Sequence, residues 1–276
     1  MQPFSLFAPA KVNLALHVLG RRADGYHDLD SIVAFADVGD RLTFTPADEF
    51  AITVSGPFAS ALPQSADNII ANSWAAAQAI AARRGRALPA AAVHLEKNLP
   101  VASGIGGGSA NAAAALKGFL RLAGIDGIDD EVIAAGLRIG ADVPVCLAGV
   151  PCRMQGVGER ITPLAGFAPL RAILVNPLVA VSTPAVFGAL ALEKGQGFGT
   201  AIADARDPAL WRNDLAAPAI ALAPVIGDVL HRLATSPGIT RAFMSGSGAT
   251  SVGLLADDSA TPDLDPRWWT ARTVLG

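Results

Sequence analysis

The sequence feature that most constrains the fold is a glycine-rich stretch that runs into alanines, PVASGIGGGSANAAAAL from Pro100 to Leu116. Glycine has no Cβ, so its backbone can turn tightly and approach a ligand closely. Ser109 and Asn111 are residue types that often begin helices. The first amides of a helix and the helix dipole both favour an anion at the N-terminus. The stretch predicts either a phosphate-binding loop or a plain turn between a strand and a helix.

This glycine loop matches neither of two common nucleotide-binding motifs. No Gly-Lys-Ser/Thr follows at the spacing of a P-loop, so the lysine of that motif is missing. After Gly104 and Gly106, the next glycine at Gly108 falls one position early for the dinucleotide fingerprint. The loop by itself does not identify a ligand.

Composition limits the class of protein. A chain of 276 residues, 51% of them apolar, can bury a substantial core, and we expect two domains. The net charge of −3, with Lys and Arg spread along the chain, argues against nucleic acid as a partner. Because no long apolar run or secretory signal is seen, we expect a cytoplasmic protein without a membrane segment. Cys146 and Cys152 are predicted to be buried thiols, with no zinc site or disulfide.

Hydrophobic periodicity and turn residues predict an α/β (α+β) chain. The predicted strands cover residues 4–19, 29–35, 41–45, 51–54, 91–96, 171–176, 240–243 and 251–255. The predicted helices cover 68–84 with Asp67 as the cap, 110–122, 131–139 and 225–234, with further helix starts at Ser182 and Asn213. Residues 195–200 are predicted to be a mobile loop. A change of composition over 157–169 predicts a boundary between domains 1–160 and 161–276.

Four side chains outside the glycine loop are candidates for function. Alternation in the first strand places Lys11 and Asn13 on one face, where a lysine is either solvated or aimed at a ligand. Tyr26 and His27 follow the turn residues Asp24 and Gly25, and could stack on a heterocycle or cover the rim of the core.

Asp142 and a second glycine-rich turn also carry more than one interpretation each. Asp142, in GADVP, is either a solvated acid at a helix end or a catalytic base. The turn from Met244 to Thr250, MSGSGAT, is either a hairpin, a second anion site, or a segment that presses on the first glycine loop.

PAKVNL, DGYH, PVASGIGGGSANAAAAL and MSGSGATS stand in one order along the chain, together with GADVPVCLAG, VNPLVAVSTPAVF and NDL. In that order they resemble the GHMP small-molecule kinases, and among them the members that act on a cytidine diphosphate derivative of methylerythritol in the non-mevalonate isoprenoid pathway. The resemblance implies the two-domain GHMP kinase fold, with a β-rich N-terminal domain and a smaller α+β C-terminal domain.

The resemblance also implies roles for residues at the matching positions. Asp142 would take the proton of the acceptor hydroxyl, and Lys11 would hold and polarise that hydroxyl. The cytosine would be bound by Tyr26 and His27, with Phe187 closing the other face, and Asn13 would contact the methylerythritol. The loop implied to hold ATP comprises Pro100, Val101, Ala102, Ser103, Gly104, Ile105, Gly106, Gly107, Gly108, Ser109 and Ala110.

The implied cofactors are ATP and Mg²⁺, with no metal ligand assigned to the protein, and the implied partner is a small cytidine diphosphate derivative. We expect a monomer or a homodimer. The loop departs from the family at Ile105, where leucine is frequent, and at Ala110, where a second serine is frequent. Two alternatives to this kinase are another GHMP kinase and a nucleotide-binding module without catalysis.

Overall fold

A computed structural model of the chain describes residues 2–62, 69–257, 260 and 262–276. In this part, the strands are β1 Phe4–Arg21, β2 His27–Pro46, β3 Ala51–Ser55, β4 Ala91–Glu96, β5 Cys152–Gly156, β6 Arg160–Pro163, β7 Leu170–Asn176, β8 Ile239–Met244, β9 Ser251–Leu255 and β10 Trp269–Leu275. The α-helices are α1 Ile69–Arg83, α2 Gly107–Leu122, α3 Asp130–Ile139, α4 Val143–Ala148, α5 Thr183–Gly188, α6 Ala216–Leu222 and α7 Val225–Thr235. The mixed content confirms the α+β prediction.

Contacts divide the chain into two compact units that alternate along the sequence. The first unit contains residues 1–10, 39–101 and 106–149, and the second contains 11–38, 102–105 and 150–276. The long strands β1 and β2 therefore contribute residues to both units. The domain boundary near residue 160 stays a prediction.

The first unit packs helices α1 to α4 with a small sheet. In that sheet, β4 lies between β3, to which it is parallel, and the second half of β2, to which it is antiparallel. An aromatic cluster supports the packing, with the Phe44 and Phe119 rings edge to face at 5.4 Å between centroids and Trp74 against Phe119 at 5.0 Å. The alanines of α2 are small enough for this helix to pack closely on its neighbours, so α2 is buried along most of its length.

The second unit is built on the strand order β8, β9, β7, β10, with the end of β10 reaching the first half of β2. On β2, the residues from Leu29 to Val33 also pair with β5, which in turn pairs with β6. Helix α7 buries Ile226, Val229 and Leu233 in the cores of this unit. These contacts follow the apolar spacing that predicted a helix there.

The predicted break between strands 29–35 and 41–45 is wrong, because β2 is continuous from His27 to Pro46. The polar residues that suggested a turn lie inside β2 and have hydrogen-bond partners on other segments of the chain. Asp37 accepts a hydrogen bond from the Val274 backbone N–H at 3.1 Å, and Asp40 is fully buried with several donors. At Gly39, a side chain would collide with the Ala8 carbonyl, so glycine is needed for close packing rather than for a turn.

Residues 195–200, which were predicted to be a mobile loop, pair through their backbone with the end of β1. The Gly195 N–H donates to the Arg21 carbonyl at 2.7 Å, and the Phe198 N–H donates to the Leu19 carbonyl at 2.8 Å. The helix predicted over 68–84 is α1, while its proposed cap, Asp67, lies outside the described residues. In the described part of the chain, no helix has both the length and the apolar character needed to cross a membrane.

Candidate active site

The glycine loop ends in a helix N-terminus that is open to an anion. Helix α2 begins at Gly107 and not at residue 110 as predicted, with Gly106 as the N-cap in the left-handed conformation at φ 62°. No side chain among the described residues caps this end. In the first intrahelical hydrogen bond of α2, the Ala110 N–H donates to the Gly106 carbonyl at 2.8 Å. Since an α-helix leaves its first amides without intrahelical partners, those of residues 107–109 remain as donors for a ligand.

Ser109 and Asn111 do not start the helix but lie inside it. Ala110 is buried and carries no hydroxyl. Ser109 lies near the chain that leads to Asp142, since a Cβ on Gly140 would be 4.0 Å from Ser109 Oγ. Ser109 is therefore the hydroxyl that this helix start offers.

The second glycine-rich turn presses on the first loop, which was one of the predicted alternatives. Ser245 Oγ donates to the Gly104 carbonyl at 3.0 Å, and the Thr250 N–H donates to the Ser103 carbonyl at 3.0 Å. A Cβ on Gly104 would lie 2.5 Å from the Gly248 carbonyl oxygen. The close approach of the two turns therefore requires glycine at Gly104 and at Gly246.

Lys11 and Asn13 lie next to these turns and are buried, which excludes the interpretation of Lys11 as a solvated strand lysine. Lys11 Nζ donates to Asn13 Oδ1 at 2.9 Å, and Asn13 Nδ2 donates to Ser31 Oγ at 2.7 Å. The Lys11 N–H donates to the Ile105 carbonyl at 2.9 Å, and the Asn13 N–H donates to Ser245 Oγ at 3.0 Å. Residues 103–105, Lys11 and Asn13 thus form one connected polar group in the second unit.

Both cysteines are buried thiols, as predicted. Burial raises the pKa of the Cys152 thiol to about 11, against a smaller opposing effect of the Lys11 charge. At neutral pH this thiol is protonated, and it serves as a small apolar neighbour of the lysine.

The aromatic tip of the DGYH motif brings His27 and Phe187 together. Their ring centroids are 4.7 Å apart at an interplanar angle of 31°. His27 Nε2 is buried and has no hydrogen-bond partner among the described residues. Burial, and then the Arg21 charge, lower the pKa of His27, so the imidazole is neutral at pH 7. Tyr26 is 64% exposed and is available for an external contact.

Asp142 is the N-cap residue of α4 in the first unit, and its side chain does not cap the helix. Pro144 stands in the first turn of α4, where a proline is tolerated. The Cys146 N–H donates to the Asp142 carbonyl at 3.2 Å, which fixes the backbone at this position. The carboxylate is half-buried.

Sequence reasoning missed one polar cluster beside the loop. Asp40 and Lys97 form a buried ion pair at 2.7 Å, and burial lowers the pKa of Lys97 although Asp40 opposes this shift. A lysine three residues before Pro100, at the end of a strand, is the signal that could have identified it. Among the described residues, no group of three or more His, Cys, Asp or Glu side chains could hold a metal ion.

The comparisons with known proteins identify the family and the fold. Residues 68–150 match the GHMP kinases N terminal domain. The chain is 48% identical, over 99% of its length and 96% of the relative, to the 4-diphosphocytidyl-2-C-methyl-D-erythritol kinase of Dinoroseobacter shibae. It is 46% identical, over 100% of its length and 99% of the relative, to that of Paramagnetospirillum magneticum. A crystal structure of 4-(cytidine 5'-diphospho)-2C-methyl-D-erythritol kinase matches with a TM-score of 0.78 and 30% identity over 99% of both chains.

The fold and the glycine loop therefore define a small-molecule kinase of the GHMP class. A homoserine kinase from Cytophaga hutchinsonii shares this fold with a TM-score of 0.70 at 17% identity, over 99% of this chain and 96% of that one. Within the class, the chain belongs to the family of 4-diphosphocytidyl-2-C-methyl-D-erythritol kinases.

Proposed function

We propose that this kinase transfers the γ-phosphoryl group of ATP to the 2-hydroxyl of 4-diphosphocytidyl-2-C-methyl-D-erythritol, a step of the non-mevalonate route to isoprenoid precursors. The observation that carries the proposal is the similarity over nearly the whole chain, 48% identity to a relative of that name. The residue roles below extend this proposal to particular side chains.

The donor side of the reaction is assigned to the glycine loop, Pro100 to Ala110. The uncapped N-terminus of α2 supports this assignment, because its free amides and dipole favour the phosphates of ATP. The Gly108 position is open toward the described part of the chain, since a Cβ there would meet only Ile69 at 4.0 Å among those residues, so a phosphate can approach the backbone. Mg²⁺ would supply further positive charge on the phosphates, held by them and by Ser109.

The cytosine is assigned to the DGYH tip. His27 Nε2 is a buried polar atom without a partner, and a neutral imidazole can hydrogen-bond the edge of a base. His27 and Phe187 contact each other directly, so a base would stack on an outer face of the pair and not between the rings. Tyr26, which is exposed, would cover the base from outside.

The chemistry then needs little covalent help from the protein. The acceptor oxygen forms a bond to the γ-phosphorus, the bond from that phosphorus to the β–γ bridging oxygen breaks, and ADP leaves with the electron pair. Asp142 accepts the hydroxyl proton. Lys11 polarises the hydroxyl, and Asn13, which holds Lys11 Nζ at 2.9 Å, contacts the methylerythritol. Such positioning and charge stabilisation account for most of the acceleration in phosphoryl transfer.

The experiment that tests this proposal measures both turnover and product. Purified protein is incubated with ATP, Mg²⁺ and the cytidyl substrate, ADP release is followed by a coupled assay, and the phosphorylated carbon is identified by ³¹P and ¹³C NMR. We expect steady ADP release that depends on the substrate and a new phosphomonoester on the 2-hydroxyl. Folded protein that binds ATP without releasing ADP would instead indicate a nucleotide-binding module.

A further inference from the structure

A buried carboxylate in the first unit connects both flanks of the glycine loop. Asp40 is fully buried and belongs to a polar cluster with Lys97 and Asn111, which are each 3% exposed. Its Oδ1 accepts from the backbone N–H groups of Asn98 and Leu99 at 2.7 and 2.8 Å. Its Oδ2 accepts from Lys97 Nζ at 2.7 Å and from Asn111 Nδ2 at 2.9 Å. One carboxylate thus receives four hydrogen bonds.

These donors stand on the two sides of the loop. Asn98 and Leu99 immediately precede Pro100, and Asn111 lies just after the loop residues, one turn into α2. Lys97 Nζ also donates to the Leu99 carbonyl at 2.7 Å, and a Cβ on Gly107 would lie 3.4 Å from Lys97 Nζ. The cluster therefore contacts the chain where it enters the loop and where the helix begins.

Burial of Asp40 and Lys97 removes two charges from water, which costs free energy unless each polar group of the cluster is hydrogen-bonded. A buried ion pair of this kind is weak evidence for stability but can fix one geometry. Among the described residues, Asp40 is the one hydrogen-bond partner of the Asn111 side chain, since Asn111 Oδ1 has none. The orientation of Asn111, and with it the first turns of α2, therefore depends on Asp40.

We propose that Asp40 is a positioning residue for nucleotide binding, which holds the entry of the glycine loop and the start of α2 in the geometry that receives phosphate. This inference rests on the proposed function for the identity of the nucleotide. Asp40 acts through Asn98, Leu99 and Asn111 and does not contact the ligand. Pre-organised amides bind an anion more tightly because no free energy is spent on ordering them at binding.

The test compares three variants of the full chain by direct binding of ATP in calorimetry, without the cytidyl substrate. Asn111→Ala removes the hydrogen bond to the helix and leaves the ion pair. Asp40→Asn leaves an acceptor for the Asn98 and Leu99 amides but turns a donor toward Lys97 and Asn111. Each is expected to weaken ATP binding roughly tenfold, the order expected for a lost bond to a charged group.

Ser73→Ala is the matched control. Ser73 is fully buried, and its Oγ donates to the Ala112 carbonyl of α2 at 3.0 Å, so its loss also perturbs α2 but does not touch the loop. We expect a lowered melting temperature for Ser73→Ala with unchanged affinity for ATP. If Asp40→Asn does not fold, Asn111→Ala decides the question.

A double-mutant cycle separates positioning from direct contact. If Asn111 acts through Asp40, the double variant binds ATP no more weakly than Asp40→Asn alone. Additive losses, or an Asn111→Ala protein with the affinity of the wild type, would overturn the inference. Because the readout is ATP binding, this outcome is independent of whether the cytidyl compound is the acceptor. Wild-type protein that binds ATP but does not phosphorylate that compound would refute the proposed function alone.

Discussion

At the scale of single residues, Asp142 has the most direct chemical role in the proposal. We expect Asp142→Asn to lower kcat by roughly 10²-fold to 10⁴-fold, the range measured for loss of a general base. Affinity for ATP is expected to stay nearly unchanged, since the amide keeps the shape of the side chain. The measurement is steady-state kinetics together with calorimetric ATP binding.

Asp130→Asn is the control for this prediction. Asp130 is an exposed acid in the first turn of α3, in the same unit as Asp142. Its variant should keep the kcat of the wild type. Turnover at the wild-type rate in Asp142→Asn would remove Asp142 as the base.

His27 is expected to set affinity for the cytidyl end of the substrate. His27→Ala removes the ring that stacks on Phe187 and the unpartnered Nε2, so the KM for the cytidyl substrate should rise more than the KM for ATP. His94→Ala is a suitable comparison, since the described hydrogen-bond partners of that histidine are Thr53 and Ser55 in an exposed setting. A larger rise in the KM for ATP than for the cytidyl substrate in His27→Ala would place this side chain elsewhere in the reaction.

The lowered pKa of His27 also predicts a pH dependence of stability. Burial is the main cause of the shift and the Arg21 charge the second, and both disfavour the imidazolium of the folded protein. The unfolded chain, with a histidine pKa of about 6.5, therefore binds more protons than the folded chain as the pH falls through this value. The free energy of unfolding should decrease between pH 7.5 and 5.5.

Urea unfolding at several pH values checks this prediction in wild type and in His27→Phe. The phenylalanine keeps a ring against Phe187 but cannot titrate, so its free energy of unfolding should fall less over the same interval. Equal slopes in the two proteins would show that His27 does not contribute.

At the scale of structural elements, the contact between the two glycine-rich turns requires glycine at Gly104, and substitution of this residue tests that requirement. Gly104 has φ 75° and Gly127 has φ 85°, so alanine is strained at either position. At Gly127, no described atom lies within 4 Å of a Cβ, whereas at Gly104 the Gly248 and Ser245 carbonyl oxygens would be 2.5 and 2.6 Å away. Gly104→Ala must separate the turns, while Gly127→Ala only carries the backbone strain.

We therefore expect Gly104→Ala to melt several degrees below Gly127→Ala in scanning calorimetry, since about 1 kcal/mol corresponds to about 2–4 °C in a chain of this size. Gly104→Ala should also bind ATP more weakly. Similar melting temperatures for the two variants would mean that the turns adjust without cost.

The elements themselves were predictable wherever the pattern was local. The strand from Ala91 to Glu96 and the helix with Ser182 as its N-cap follow from alternation and capping chemistry. The continuity of β2 was not predictable, because Gly39 and Asp40 are residue types that are typical of a turn. Their partners, Ala8 in β1 for Gly39 and Lys97 after β4 for Asp40, are distant in the sequence. Local sequence patterns carry no information about partners that are distant along the chain.

At the scale of the whole molecule, the sequence motifs predicted the class of the fold, and the similarity to relatives confirmed it. The alternation of the two units along the sequence could not be predicted. β1 and β2 each contain residues of both units, and neither strand changes in composition at the position where one unit ends and the other begins. Of the candidate site, Lys11, Asn13 and the glycine loop were identified by motif. Asp40 and Lys97 were missed because the position of Lys97 at the end of a strand hints at a site near the loop but does not identify Asp40, 57 residues away in the sequence, as its partner.

The measurement that tests the central claim most directly is a comparison of kcat/KM for three acceptors with saturating ATP. The acceptors are 4-diphosphocytidyl-2-C-methyl-D-erythritol, homoserine and mevalonate, since a homoserine kinase and mevalonate kinases share this fold. We predict turnover of the cytidyl compound and rates at background for the other two, because neither offers a base to the DGYH tip. Equal kcat/KM for homoserine or mevalonate, or no turnover of the cytidyl compound by folded protein, would contradict the account.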